Sequence, residues 1–258
     1  DVFWNNDVTQ TVRLKRQGVL ASYASPSASD IPPHYRDPED YWTGFAARAR
    51  VIIYNTDQVE YPPRSIQDLV DPKWKGRVAI ANPLFDTTAT HVTAWFASWG
   101  DERAIAFLEA IKANDVAILP GNAAVRDLVA RGEFAWGLTD TDDANGGIED
   151  GFPVRWLLPN QDVGDETLGT LLIPNTVSLV RDGPNPDGGR ALIDFMLRPE
   201  IEAHLAASRS MQIPLRSAVS RPETVPNLDN MVTMTVTFDA IADKIPAMMD
   251  YVQREFAP

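Results

Sequence analysis

Phe134-Ala135-Trp136-Gly137-Leu138-Thr139-Asp140-Thr141-Asp142-Asp143 decides how this chain folds. Its first half is an apolar run of strand length. Its second half crowds three carboxylates and two hydroxyls into five residues. A strand that ends in polar residues and passes into a helix is the repeating step of an α/β sheet. Asp140 or Thr141 suits the start of that helix, because a side-chain oxygen there accepts an orphan backbone N–H. In such sheets ligands gather beyond the carboxyl ends of the strands. Asp140, Asp142 and Asp143 would stand at such an end, where clustered carboxylates suit a hard cation or an ammonium group. The same residues also fit a plain solvated helix cap.

Working upstream, the pattern repeats twice. The segment 116–119 reads as a strand, and Pro120-Gly121-Asn122 then opens a helix to Arg131, stopped by Gly132. Val78-Ala79-Ile80-Ala81 reads as a buried strand, and Asn82-Pro83-Leu84-Phe85-Asp86-Thr87-Thr88-Ala89-Thr90 leads into a helix over 87–99. The free N–H groups of its first turn, with the Thr87 and Thr88 hydroxyls, would hold an anion, although Asp86 opposes a strongly charged one. Three polar strand ends in succession would line one rim of a cleft.

Further out, 101–112 is amphipathic, with Ile105, Leu108 and Ile111 on one stripe. Residues 1–4 read as the middle of a buried strand, and Asn6 or Asp7 caps a helix to about Gln17. A β-rich run over 42–54 ends in Val51-Ile52-Ile53-Tyr54. Downstream, strands are expected at 154–158, 167–173 and 176–180, and helices at 188–197 and 199–208. The tail over 237–256 is helical, with Pro246 expected to kink or break it.

The chain has 258 residues, 44% of them hydrophobic, which is enough for one large domain or two smaller ones. A net charge of -13 disfavours nucleic acid and anionic membrane surfaces as partners. The absence of cysteine excludes disulfides, thiolate metal sites and cysteine nucleophiles. No apolar run has the length of a membrane span. His34, His91 and His204 form no metal-binding pair, and no nucleophile elbow or phosphate loop is present. A metal-assisted hydrolase built on the aspartates would need orienting partners that do not accompany them. The chain is therefore not expected to be an enzyme.

Four runs carry a resemblance: Asp1-Val2-Phe3-Trp4-Asn5-Asn6, the stretch 42–56 from Trp42-Thr43-Gly44 to Tyr54-Asn55-Thr56, Leu69-Val70-Asp71-Pro72-Lys73-Trp74-Lys75-Gly76-Arg77, and Ile173-Pro174-Asn175-Thr176-Val177. In order, and along essentially the whole chain, they resemble the iron(III)-type substrate-binding proteins of ABC importers. The resemblance implies a type II periplasmic-binding-protein fold, with two α/β lobes joined by hinge strands. Lobe 1 would hold 1–52 and 175–222, and lobe 2 would hold 53–174 and 223–258. It implies a periplasmic or cell-surface protein that hands a small ligand to an inner-membrane permease and needs no cofactor beyond a metal carried as cargo. The family has a strand-helix-strand stretch before the first strand seen here, so lobe 1 is expected to be N-terminally truncated. A homodimer, a domain swap or a non-transporting interaction module would be ways to live with that truncation.

The resemblance also assigns residues. Thr87, Thr88 and Ala89 match the family's anion-binding helix start, and Asn122 and Asp140 match its asparagine positions. Asp142 and Asp143 stand where iron-binding members place adjacent tyrosines, and Asn6 stands near their glutamate. The positions agree while the chemistry departs, so tyrosinate-ligated iron is not expected. Asp142 and Asp143 remain the candidate metal ligands, and an amine-bearing or phosphorylated solute is the alternative cargo. Arg48, beside the hinge, is a candidate cleft cation or an ordinary ion-pair partner.

Overall fold

The computed structural model describes residues 1–161 and 168–256. They divide into two compact units. Unit 1 comprises Asp1–Arg48, Ile173–Met231 and Thr237–Ala242, and unit 2 comprises Ala49–Leu172, Val232–Val236 and Asp243–Pro258.

Unit 1 opens with strand β1 (Val2–Asn5) and helix α1 (Val8–Arg16). Asp7 caps α1, its carboxylate accepting the Thr9 N–H at 2.9 Å. Strand β2 (Leu20–Ala21) follows, and the long strand β3 (Thr43–Asn55) begins in unit 1 and ends in unit 2. The sequence reads β1 as a buried strand, yet Val2 and Phe3 are only half-buried and Trp4 is 60% exposed. Among the described residues β1 stands at one end of the strand order, and the Trp4 ring lies beside Phe45 with centroids 6.0 Å apart.

Unit 2 is an alternating α/β unit. It adds β4 (Val78–Ala81), α2 (Asp86–Trp99), α3 (Asp101–Ala113), β5 (Ala117–Leu119), α4 (Asn122–Ala130), β6 (Trp136–Asp140), α5 (Thr141–Glu149) and β7 (Val154–Leu157). Strand β4 runs parallel to β5 and β6, while β3 runs antiparallel to β6 and β7. The β3–β6 register sets Arg50 opposite Asp140 and Ile52 opposite Leu138. Ile52, Ile80, Leu138, Trp95, Phe96 and Leu108 fill the core between sheet and helices. Gly137 lets the sheet and α4 close up: a Cβ there would lie 2.6 Å from both the Ala79 carbonyl oxygen and Val125 Cγ1.

The chain returns to unit 1 through β8 (Leu172–Val180), which pairs antiparallel with β1 and β2. The sequence suggests two strands here, over 167–173 and 176–180; Thr167 lies outside the described residues. One strand runs through Pro174, whose fixed φ suits extended backbone. The Asn175 amide donates to the Phe45 and Ala46 carbonyls at 3.3 and 3.2 Å, adding side-chain bonds beside the donor that proline lacks. Helices α6 (Pro186–Met196), α7 (Pro199–Ala207) and α8 (Phe238–Phe256) complete the structure.

Helix α8 runs on through Pro246 as one helix, so of the kink or break expected there the break does not occur. Proline removes one backbone bond, while Ile241 and Ala242 on one side of it and Met248, Tyr251 and Val252 on the other are buried. That burial outweighs the loss. Among the described residues, no helix is long and apolar enough to cross a membrane.

Candidate functional site

The carboxyl ends of β4 and β6 and the heads of α2, α4 and α5 meet in unit 2 around one residue, Arg50. Its guanidinium is fully buried. Nη1 donates to Asp140 Oδ1 at 2.7 Å, Asn122 Oδ1 at 3.0 Å and Thr87 Oγ1 at 3.0 Å, and Nη2 donates to Thr88 Oγ1 at 3.1 Å. The partners also bind one another. Thr87 Oγ1 donates to Asp140 Oδ2 at 2.6 Å, and Asn122 Nδ2 donates to Thr87 Oγ1 at 2.7 Å and to Asp140 Oδ2 at 3.1 Å. A buried cation so compensated is stable where an unpaired one would not be. Among the described residues, Arg50 Nε is buried and has no hydrogen-bond partner.

Four residues singled out from sequence, Thr87, Thr88, Asn122 and Asp140, are thus brought together. All are buried, and each sits where a strand has ended and a helix begins. None of these three helices has a side-chain cap hydrogen bond at its start. Asp140 takes the N-cap position of α5, but its carboxylate turns to Arg50 rather than to the helix. Thr141 accepts the Ala49 N–H at 3.2 Å. In α2 the first backbone bond runs from the Ala89 N–H to the Phe85 carbonyl at 3.1 Å, so the N–H groups ahead of it lie outside the ladder. Ala89 itself is half-buried. Three helix starts converging in this way concentrate positive potential.

The opposite charge comes from the first turn of α5. Carboxylate oxygens of Asp140, Asp142 and Asp143 lie within 4.8 Å of one another. Asp142 and Asp143 are half-buried, and Arg126 of α4 approaches Asp143 at 3.8 Å. Burial, reinforced by the charges of Asp142 and Asp140 and opposed by Arg126 and Arg50, pushes the Asp143 carboxyl up to about 6. His91 of α2 packs on Trp95, with ring centroids 5.0 Å apart. Burial, with a smaller contribution from the Arg50 charge, holds it well below the usual histidine range, so it is a neutral core residue.

Asn6 and Arg48 belong to unit 1. Asn6 is exposed in the turn after β1, its N–H bonded to Asn5 Oδ1 at 2.8 Å, and Arg48 is half-buried. Sequence reasoning singled out Arg48 and passed over Arg50, two residues further along β3. The available signal was position: Arg50 directly precedes the apolar run Val51-Ile52-Ile53, where an arginine is buried only if paired.

The two-unit α/β architecture is the type II periplasmic-binding-protein fold. The model of the bacterial extracellular solute-binding protein family matches residues 7–243, and the chain belongs to that family. Over 254 residues it is 27% identical to Iron uptake protein A1 of Synechocystis sp., an alignment covering 93% of this chain and 69% of that protein. The chain spans 60% of the length of three other relatives. Its fold is similar to that of the ferric binding protein from Campylobacter jejuni, with a TM-score of 0.86 and 22% identity over 98% of this chain and 83% of that one. It is also similar to the periplasmic binding protein AfuA from Actinobacillus pleuropneumoniae, solved with fructose-6-phosphate, with a TM-score of 0.83 and 22% identity over 99% and 82% of the two chains.

Proposed function

We propose that this chain is the extracytoplasmic solute-binding component of an ABC importer, which carries a small ligand to an inner-membrane permease and transforms nothing. The observation that carries the proposal is the meeting of three helix starts and an acidic turn at the strand ends of unit 2. One part of that site suits an anion and the other a cation. The leading ligand is a hard metal cation, such as ferric iron, held by Asp142 and Asp143 with an accompanying anion at the head of α2. Thr87, Thr88, Ala89 and Asn122 form the anion side, and the relatives named for iron uptake support this reading.

A second reading has its own support. Arg50 already neutralises Asp140, and Asp142 and Asp143 stand at the positions that match the tyrosines of iron-binding members, a poor set for ferric iron. An organic solute with an amine and a phosphate-like group would match the same two halves. AfuA, a structural neighbour, was solved with a sugar phosphate, a ligand that carries the phosphate half of such a solute.

Calorimetric titration with ferric iron, divalent metals and a panel of amino and phosphorylated solutes separates the two readings. The double substitution Asp142→Ala and Asp143→Ala is expected to abolish specific binding of whichever ligand the protein takes. Unchanged binding by the double variant would show that the ligand sits elsewhere.

A further inference from the structure

Asp140, Asp142 and Asp143 lie close enough together for one hard cation to engage all three. The cluster already holds a cation, however, and it is part of the chain. It is the Arg50 guanidinium, 2.7 Å from Asp140. Both Asp140 oxygens are consumed, Oδ1 by Arg50 and Oδ2 by Thr87 and Asn122. Asp143 instead faces Arg126 of α4, at 3.8 Å.

Resting on the solute-binding reading above, we infer that Arg50 is the residue that sets the charge specificity of the site. It acts through Asp140 as a built-in counter-cation. It holds that carboxylate away from the ligand and limits the cation side to Asp142 and Asp143. A two-carboxylate site suits an amine or a weakly held metal, whereas three carboxylates would make a strong site for a multivalent cation. Arg50 thereby weakens metal binding at the cluster, so that any cation held there is held by Asp142 and Asp143 without Asp140.

The test is a gain of function, which a merely structural role would not produce. Wild type, Arg50→Gln and Arg50→Lys are titrated calorimetrically with Tb³⁺, a hard trivalent probe. Removing one positive charge beside the cluster is expected to tighten Tb³⁺ binding about tenfold or more in R50Q. R50K keeps the charge and is expected to show no such gain. Adding Asp140→Asn to R50Q is expected to erase the gain, because the freed carboxylate is then gone. A folded R50Q without the gain overturns the inference, as does a gain that R50K shares or that survives in the double variant. Should R50Q not fold in buffer, Tb³⁺ is expected to restore it on dilution from denaturant, and failure to do so counts equally against the inference. A wild type indifferent to Tb³⁺ beside an R50Q that binds it would remove the metal reading of the native ligand while leaving the role of Arg50 intact.

Discussion

Asp143 carries a pH dependence whose sign follows from its surroundings. Its carboxyl is pushed up to about 6 from an ordinary value of 3.8, so the folded protein binds a proton between these values that the unfolded chain has released. The stability this group contributes is complete below about pH 4 and is lost as pH rises through about 6. Asp143→Asn removes the loss. Urea midpoints measured from pH 4 to 7 are expected to separate, with the variant gaining on wild type as pH rises; parallel curves would refute the raised carboxyl. Cation binding should run the other way, strengthening in wild type as the proton leaves. The acidic turn and the threonines were legible in the sequence because each follows an apolar run and opens a helix. Arg50 was not, because its partners Thr87, Asn122 and Asp140 lie 37, 72 and 90 residues away, and only the strand register brings them within bonding distance.

Among the elements, β6 does most to position the site, since it delivers Asp140 to the end of the sheet. Its neighbours leave no room at Gly137, where a methyl group would meet the Ala79 backbone and the Val125 side chain. Gly137→Ala is expected to cost about 1–3 kcal/mol of stability by overpacking. It should also weaken ligand binding where the clash is relieved by a shift of β6, the strand that carries Asp140. Thermal denaturation and titration of the same variant check both effects, and a fully stable variant would mean that the backbone yields cheaply. The strand-helix order of unit 2 was readable from periodicity. The continuity of β8 through Pro174 and of α8 through Pro246 was not, because proline predicts local disruption and says nothing of the packing that overrides it.

At the scale of the whole chain, neither unit is a continuous segment of sequence. Unit 2 draws Met248, Tyr251, Val252 and Phe256 of α8 into the core it builds around β4 and β6. Each such side chain contributes about 1.5–3 kcal/mol by burial, so the set is comparable with the about 5–15 kcal/mol that stabilises a whole domain. Deleting 243–258 is therefore expected to abolish cooperative unfolding and to raise binding of a hydrophobic dye, although the deletion is far in sequence from the site. Retention of a sharp transition would show that α8 is dispensable.

The sequence by itself determined the α/β class, the alternating elements of unit 2 and the polar strand ends, because these depend on hydrophobic period and on residues adjacent in the chain. Tertiary structure alone decided which of those polar groups face one another. Thr87, Thr88, Asn122 and Asp140 read as ligand residues one at a time, and in the fold they close around Arg50. A buried charge must be paired, and its partners are chosen by sheet register, which local sequence does not encode.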